Sequence, residues 1–193
     1  MAPKNIIFIS YYKTIIGELI LGSYENQLCL LDFRYRKMRS IIDNRLLTSL
    51  DAFYFEKETP LLRITILQIK AFLKGTRTEF SLPIKMVGNP FQLKVWEALK
   101  TIPYGTTISY LDLARQIGDP NAVRAVASAN GANAIALIIP CHRVIGSSQK
   151  LVGYAGGLRI KKKLLETELA RSKNPNELPF WEMEDNQKSP PKI

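Results

Sequence analysis

Two side chains suited to nucleophilic chemistry stand next to each other in the chain, Cys141 and His142. His142 is the one histidine in 193 residues, and Cys141 is one of two cysteines. A cysteine thiol has a reference pKa of about 8.5, so it needs a base or positive surroundings to become the nucleophilic thiolate at neutral pH. His142, Arg143 and the basic residues that follow could supply both. The alternative, from these residues alone, is a buried structural cysteine beside a satisfied histidine.

The charge pattern around Cys141 is one-sided. The formal net charge of the chain is +10. Between Asp119 and Glu166 there is no acidic residue, whereas seven basic residues fall there: Arg124, Arg143, Lys150, Arg159, Lys161, Lys162 and Lys163. An acid-free stretch of this length favours contact with phosphate groups, and the alternative is a solvated basic face.

Composition excludes several classes of protein. With 46% hydrophobic residues, the chain can bury a core and form one large or two small domains. It has no apolar run long enough to span a membrane and no leader pattern at its start, so we expect an intracellular, cytoplasmic protein. Cys29 and Cys141 are too few for a disulfide framework, and with one histidine they cannot form a four-ligand zinc site. We therefore expect no structural metal.

Three elements must position Cys141. The β-branched run Ile135–Ile139 predicts a short buried strand that ends at Pro140 and places Cys141 at its exit. The glycine-rich segment 153–157 predicts a turn, or a loop whose backbone N–H groups line a pocket. In a helix predicted from Leu158 to Ala170, Glu168 falls on an otherwise apolar stripe, where a carboxylate needs a partner. The partner of a buried Glu168 would be the imidazole of His142 or a lysine. The alternative is that Glu168 lies at the edge of the stripe and pairs with Lys161 at the surface.

The first half of the chain has the pattern of a scaffold. Alternating runs between residues 5 and 35 predict three strands of an antiparallel meander. A short helix is expected near Arg45 to Phe53, a longer one from Pro60 to Leu73, and a further strand at 79–82. Cys29 lies in an apolar strand and is interpreted as a core residue.

A second unit begins at Asn89, where Asn89, Pro90 and Gln92 have the spacing of a helix capping box. Helices predicted at Ser109–Ile117 and Asn121–Asn130, with the second capped by Asp119 or Asn121, are joined by a glycine-containing turn. This is the pattern of a helix-turn-helix. The second helix has small outward side chains, mostly alanine, with Arg124 as its large polar group, so its backbone could approach a narrow groove closely. The alternative is tight packing between helices.

Several motifs together resemble one family, the O6-alkylguanine-DNA alkyltransferases. The resemblance runs from about Asn89 to Glu168 and rests on these stretches: Phe91-Gln92 with Val95-Trp96, Ile102-Pro103-Tyr104-Gly105-Thr106, Ser109-Tyr110, Arg124-Ala125-Val126, Pro140-Cys141-His142-Arg143-Val144-Ile145-Gly146, Gly153-Tyr154-Ala155-Gly156-Gly157 and Leu164-Leu165-Glu166-Thr167-Glu168. It implies an α/β protein with a small ribonuclease H-like domain (residues 1–85) and a winged helix-turn-helix domain (residues 89–171). Independently of the resemblance, the proline-containing residues 172–193 predict a C-terminal tail, which could dock through Phe180 and Trp181.

The resemblance also implies catalytic roles. Cys141 would accept the alkyl group, while His142, through a water, and Glu168 would relay the thiol proton. Asn133 would brace the active-site turn, and Tyr110 would face the target base. No cofactor is implied, because the lesion itself carries the alkyl group.

The implied partner is double-stranded DNA, bound by a monomer through the minor groove. Arg124 would take the place of the flipped nucleotide, and Lys161 would hydrogen-bond near the pocket. The backbone at Tyr154 and Ala155 would contact the guanine oxygen. The remaining contacts to DNA or base are implied for Ala125, Ala127, Ser128, Ala129, Val144 and Gly156.

Other classes of function compete with this interpretation. A relative that only binds alkylated DNA would lack the reactive cysteine, which is present here. A Cys-His hydrolase would need the two side chains to face each other, and adjacent residues in a turn seldom do. A transcriptional helix-turn-helix would need polar side chains that contact base edges, whereas alanine and serine are poor for this.

Overall fold

The computed structural model describes residues 5–146 and 148–171. Three strands, β1 (Asn5–Thr14), β2 (Gly17–Tyr24) and β3 (Gln27–Phe33), form the predicted antiparallel meander. Glu25 and Asn26, between β2 and β3, have φ of 48° and 57°, the left-handed conformation of a two-residue hairpin turn. A fourth strand, β4 (Ala52–Glu56), pairs in parallel with β1, and the sheet order is β3-β2-β1-β4.

Two predictions for the first half are wrong. The helix expected near Arg45 to Phe53 is α1 (Arg39–Ser49), and the residues that follow it form β4, because they complete the edge of the sheet beside β1. The strand expected at 79–82 does not form. Instead, the side chain of Gln68 accepts from Ser81 N at 3.0 Å and donates to Ser81 O at 3.2 Å, so the backbone there is satisfied without a ladder. The helix predicted from Pro60 to Leu73, α2, is confirmed.

The second half is mainly helical. It contains α3 (Pro90–Lys100), α4 (Tyr110–Gln116), α5 (Val123–Gly131) and α6 (Leu158–Leu169), with the short parallel strands β5 (Ile108–Ser109) and β6 (Val144–Ile145). The predicted capping box of Asn89 is confirmed, since its Oδ1 accepts from Gln92 N at 2.8 Å. Asp119 caps the turn before α5 by accepting from Asn121 N at 3.1 Å.

The strand predicted at Ile135–Ile139 is wrong. Only Ile135 makes a bridge, to Leu31 of β3, and the chain then turns, with Leu137 at φ 70°. Leu31 N donates to Ala134 O at 2.8 Å, and Ala136 N donates to Leu31 O at 2.6 Å. The apolar run is buried through these turns rather than through a ladder, and it leads directly into a single turn of 3-10 helix at Cys141–Arg143.

One hydrophobic core joins the two halves. Its buried side chains come from the sheet, α2 and the helices of the second half, and include Leu21, Leu31, Phe72, Trp96 and Leu164. A second cluster lies under α1, around Ile7, Ile42 and Leu46. The architecture is therefore mixed α/β, with the Cys141 turn packed between the sheet and the helices. Among the described residues, no helix is long and apolar enough to cross a membrane. The expected docking of the tail through Phe180 and Trp181 lies outside the described residues.

Candidate active site

Cys141 lies at the wall of a large cavity. The cavity has a volume of about 1010 Å³ and is bounded by the N-terminal part of α1, by α5 and by the loop before α6. Its lining includes Tyr110, Arg124, Asn133 and Tyr154. This volume is at the upper end of the range for small-molecule sites, roughly 300–1,000 Å³. Cys141 is 5% exposed, so its thiol is sheltered from bulk solvent.

The turn that carries Cys141 is held by the side chain of Asn133. Asn133 Oδ1 accepts from Ile135 N at 2.9 Å, and its Nδ2 donates to Ile139 O at 2.9 Å. The side-chain amide of Asn133 therefore hydrogen-bonds to backbone groups at both ends of this segment, which in a strand would be paired in a β-ladder. Burial raises the pKa of the Cys141 thiol, while the side chains of Asn133 and Lys161 act in the opposite direction. The thiol is accordingly mostly protonated at neutral pH without a base.

Glu168 forms a buried charged cluster with His142 and Arg143. Its Oε1 accepts from His142 Nε2 at 2.8 Å and from Arg143 Nη2 at 3.0 Å. Its Oε2 accepts from Arg143 Nε at 2.9 Å and from the backbone N of Gly105 at 3.0 Å. Burial by itself would raise the pKa of Glu168, but the hydrogen bonds and charges of His142 and Arg143 outweigh it and lower this pKa to about 2. Glu168 is therefore ionised throughout the neutral range.

The carboxylate fixes the tautomer of His142. An ionised carboxylate only accepts hydrogen bonds, so His142 Nε2 must carry a proton and donate it. When the ring is neutral, Nδ1 is then the basic nitrogen, and it has no hydrogen-bond partner in the part of the chain that the structure describes. Burial lowers the pKa of His142 against the opposing effect of Glu168, so the ring is available as a base at neutral pH.

Lys161 is fully buried, which excludes the predicted alternative of a surface pair with Glu168. Its Nζ donates to Val144 O and Val152 O, both at 2.6 Å, and to Gly153 O at 3.4 Å. Burial lowers the pKa of Lys161 to about 8. The ammonium ties β6 to the start of the loop at 153–157, so it fixes that side of the cavity.

Comparisons with known proteins point to one family. Residues 90–170 match the family model described as 6-O-methylguanine DNA methyltransferase, DNA binding domain. The methylated-DNA–protein-cysteine methyltransferase of Mycobacterium tuberculosis is 54% identical over 105 residues, which are 54% of this chain and 64% of that protein. The constitutive enzyme of the same name from Bacillus subtilis is 40% identical over 164 residues, which are 83% of this chain and 96% of that protein.

The chain belongs to the methylated-DNA–protein-cysteine methyltransferase family. A solved structure agrees over most of the chain. The crystal structure of Mycobacterium tuberculosis OGT in complex with DNA has a TM-score of 0.73 and 39% identity, and covers 86% of this chain and 94% of that one. The resemblance found in the sequence motifs is confirmed at the level of the family.

Helix α5 of this methyltransferase family member presents small residues and one arginine to the cavity and to solvent. Arg124, Ala125 and Ser128 are exposed, and Ala127 is half-buried. Ala129, for which the resemblance implies a contact to DNA or base, has a side chain that is 3% exposed and a carbonyl that accepts from Trp96 Nε1 at 2.8 Å. It faces inward because α5 packs on α3 through this side.

The contact to DNA or base that the resemblance implies for Val144 stays a prediction. The side chain of Val144 is fully buried in β6, and the Val144 carbonyl, on the side of the site, accepts a hydrogen bond from Lys161.

The loop at 153–157 packs against the sheet. Tyr154 packs edge-on against Phe33 at a centroid distance of 5.6 Å, and Ala155 lines the cavity. A Cβ at Gly156 would lie 2.6 Å from the Phe33 ring, so any other residue there would displace that ring.

Two site residues were missed by the sequence analysis. Arg143 was considered only as a source of positive field, whereas it binds Glu168 through two nitrogens and donates to Ile102 O at 2.6 Å. Asn130 was treated as the end of a helix, whereas it lines the cavity beside Cys141. The position of Arg143, next to His142 in the motif, was the available signal. No feature of the sequence indicated a role for Asn130 in the site.

Within the described ranges, no group of three or more His, Cys, Asp or Glu side chains could hold a metal ion, and the absence of a metal stays a prediction.

Proposed function

We propose that the protein repairs alkylated DNA by direct reversal, transferring the alkyl group of O6-alkylguanine to Cys141. The observation that carries the proposal is the placement of Cys141 at the cavity wall, next in the chain to a His142 whose free Nδ1 is set by Glu168. The alkyl carbon forms a bond to the Cys141 sulfur, the bond from that carbon to guanine O6 breaks, and its electron pair stays on the base. His142 takes the thiol proton through a water, with Glu168 stabilising the imidazolium.

The reaction occurs once per molecule. The product at Cys141 is a thioether, which has no easy leaving group. The reaction requires no cofactor, because the lesion supplies the alkyl group and Cys141 receives it. O4-alkylthymine, which carries the same kind of alkoxy group on a smaller base, is a second substrate that the cavity volume accommodates.

The proposed partner is duplex DNA, contacted through its minor groove by a monomer. The small side chains of α5 at Ala125, Ala127 and Ser128 permit close approach of the helix to the groove floor, and Arg124 fills the space of the flipped nucleotide. Flipping costs a few kcal/mol, which DNA contacts must offset. The basic residues between Asp119 and Glu166 provide phosphate contacts. We accordingly propose that the protein works in the cytoplasm or in another compartment that holds DNA.

We further propose that the sheet with α1 and α2 (residues 1–85) is a ribonuclease H-like domain, and that residues 89–171 are a winged helix-turn-helix domain. The supporting observations are the four-stranded sheet, which has both antiparallel and parallel strand pairs, and the helices α4 and α5, which are joined by a turn at Gly118. The loop at 153–157, with Tyr154 and Ala155, closes the pocket over the base.

The deciding experiment is intact mass spectrometry after incubation with a duplex that contains O6-methylguanine. The wild-type protein and Cys29→Ser should each gain one CH₂ unit, because Cys29 is buried in the core and takes no part. Cys141→Ala should gain nothing while still binding the duplex, since phosphate contacts hold the DNA. Methyl uptake by Cys141→Ala, located on another residue by peptide mapping, would refute the assignment.

A further inference from the structure

Asn130 connects the nucleophile to the wall of the cavity. It lies in the last turn of α5, and is 4% exposed. Its Nδ2 is 3.3 Å from the hydroxyl oxygen of Tyr110 and 3.3 Å from the backbone carbonyl oxygen of Cys141. No other side chain in the described part of the chain is hydrogen-bonded to both Tyr110 and the Cys141 backbone.

The two contacts fix the direction of each hydrogen bond. A carbonyl oxygen only accepts, so the amide atom that faces Cys141 O must be the nitrogen. The same nitrogen faces Tyr110, and its second hydrogen points to the phenol oxygen, which must accept. The phenol proton is thereby directed away from Asn130. Because Tyr110 lines the cavity, that proton is available to a group inside it.

We propose that Asn130 is a positioning residue that makes Tyr110 a hydrogen-bond donor to the base in the cavity. The proposal rests on the proposed function. When the bond from the alkyl carbon to O6 breaks, the base takes up the electron pair and becomes more negative at its ring nitrogens, N1, N3 and N7, none of which carries a hydrogen in O6-alkylguanine. A donor fixed toward one of them stabilises that charge without itself losing its proton.

The state of the phenol fits this role. Burial raises the pKa of Tyr110 to about 12, with the charge of Cys141 acting in the same direction and the Asn130 hydrogen bond opposing it. The phenol therefore keeps its proton at neutral pH. A tyrosine free to rotate could instead turn its proton toward the Cys141 side or away from the base, and Asn130 removes that freedom.

The experiment compares Asn130→Leu, Tyr110→Phe and the double variant in single-turnover transfer. The probes are duplexes with O6-methylguanine, and with analogues in which N1, N3 or N7 is replaced by C–H. For the wild type, one of these replacements should slow transfer about tenfold, the size expected for one hydrogen bond of about 1.4 kcal/mol. That replacement should have no further effect in either single variant, and the double variant should be no slower than Tyr110→Phe. Asn44→Leu, at an exposed position of α1, is the matched control and should keep the wild-type pattern.

A purely structural role gives a different pattern. In that case, Asn130→Leu would slow all four substrates equally and leave the sensitivity to the ring-nitrogen replacement unchanged, which overturns the proposal. If Asn130→Leu does not fold, Asn130→Asp replaces the donor by an acceptor, which should turn the phenol proton toward residue 130 and abolish the same sensitivity.

A readout without DNA separates this proposal from the proposed function. With ¹³C-labelled tyrosine, the pKa of Tyr110 should be higher in Asn130→Leu than in the wild type, because the phenolate loses a donor. An unchanged pKa overturns the assigned direction of the hydrogen bond, whether or not the protein transfers alkyl groups. If the wild type gains no methyl group while this pKa shifts, the proposed function fails and the orientation of Tyr110 stands.

Discussion

At the scale of single residues, Glu168 serves two partners with one carboxylate. It sets the tautomer of His142, and it also neutralises Arg143, whose side chain is 9% exposed. A buried ion pair contributes little net stability compared with apolar residues, but removal of one partner leaves an uncompensated charge and costs about 3–5 kcal/mol. The cluster therefore links the chemistry of the site to the stability of the fold.

This double role defines the test of the proton relay. Glu168→Gln should slow reaction with a free-base substrate such as O6-benzylguanine at neutral pH, since the imidazolium loses its counter-charge. The rate should partly recover as the pH rises toward the pKa of the unassisted thiol, where the base is no longer needed. The measurement is a pH-rate profile, with circular dichroism at a temperature where both proteins are folded.

The control for this test is Glu166→Gln. Glu166 lies on the exposed side of the same helix, with Lys162 at 3.9 Å, and its replacement should change neither rate nor stability noticeably. If Glu168→Gln were as fast as the wild type at neutral pH, or faster, the positive field of Arg143 and Lys161 would be activating Cys141 by itself, and the relay would be excluded.

At the scale of elements, α5 is a helix with two different faces. Val126 and Ala129 pack inward, whereas Arg124 is the long side chain on the exposed and otherwise small face. Its C-terminal carbonyls are held by arginines from the first half: Arg36 Nη2 donates to Gly131 O at 2.6 Å, and Arg45 Nη2 donates to Ala132 O at 2.8 Å. The end of α5 nearest Cys141 is thus fixed while its outer face stays open.

Arg124→Ala should therefore affect duplex DNA far more than a free base. We expect repair of O6-methylguanine in a duplex to slow about tenfold or more, because the extrahelical state loses a stabilising side chain, while reaction with O6-benzylguanine stays near the wild-type rate. Arg63→Ala, an exposed arginine on α2, is the matched control for loss of one positive charge. Equal losses on both substrates would show that Arg124 supports the pocket instead.

At the scale of the whole molecule, a buried residue of the sheet is linked by hydrogen bonds to the turn that carries Cys141. Asp32 of β3 is fully buried, and its Oδ2 accepts from Arg36 Nη1 at 2.7 Å and from Arg39 Nη1 at 3.0 Å. Arg36 in turn donates to Asn133 O at 3.2 Å, so the residue that braces the Cys141 turn is attached to the first half. The halves share one core, and the site depends on both.

Asp32→Asn should test this dependence. The substitution leaves the buried Arg36 without its counter-charge, while Arg39 keeps only Asp43, at 2.9 Å, and we expect the free energy of unfolding to fall by about 3–5 kcal/mol. Urea unfolding followed by fluorescence should show a lower midpoint with an unchanged slope. Glu58→Gln removes the exposed pair with Arg63 and should lower stability by less than about 1 kcal/mol. Equal effects of the two substitutions would mean that the buried cluster around Asp32 contributes no more to stability than an exposed ion pair.

The sequence by itself determined the local features and the family. The capping box at Asn89, the meander and α2 depend on contacts within a few residues, so their patterns are readable from the chain alone. The place of Glu168 on an apolar stripe predicted that it needs a buried partner, and His142 was correctly named as a candidate. The motif around Cys141 identified the family.

Only the tertiary structure decided how these residues meet. Arg143 and Glu168 are 25 positions apart, and Arg36 and Asn133 are 97 apart, so no periodicity in the sequence couples them. The run Ile135–Ile139 has the composition of a strand but forms turns, because Asn133 and Leu31 satisfy its backbone. Lys161 would be exposed by its type, yet three carbonyls of the folded chain surround its ammonium. Burial depends on what packs against a residue, and that is set by the whole fold rather than by its neighbours in sequence.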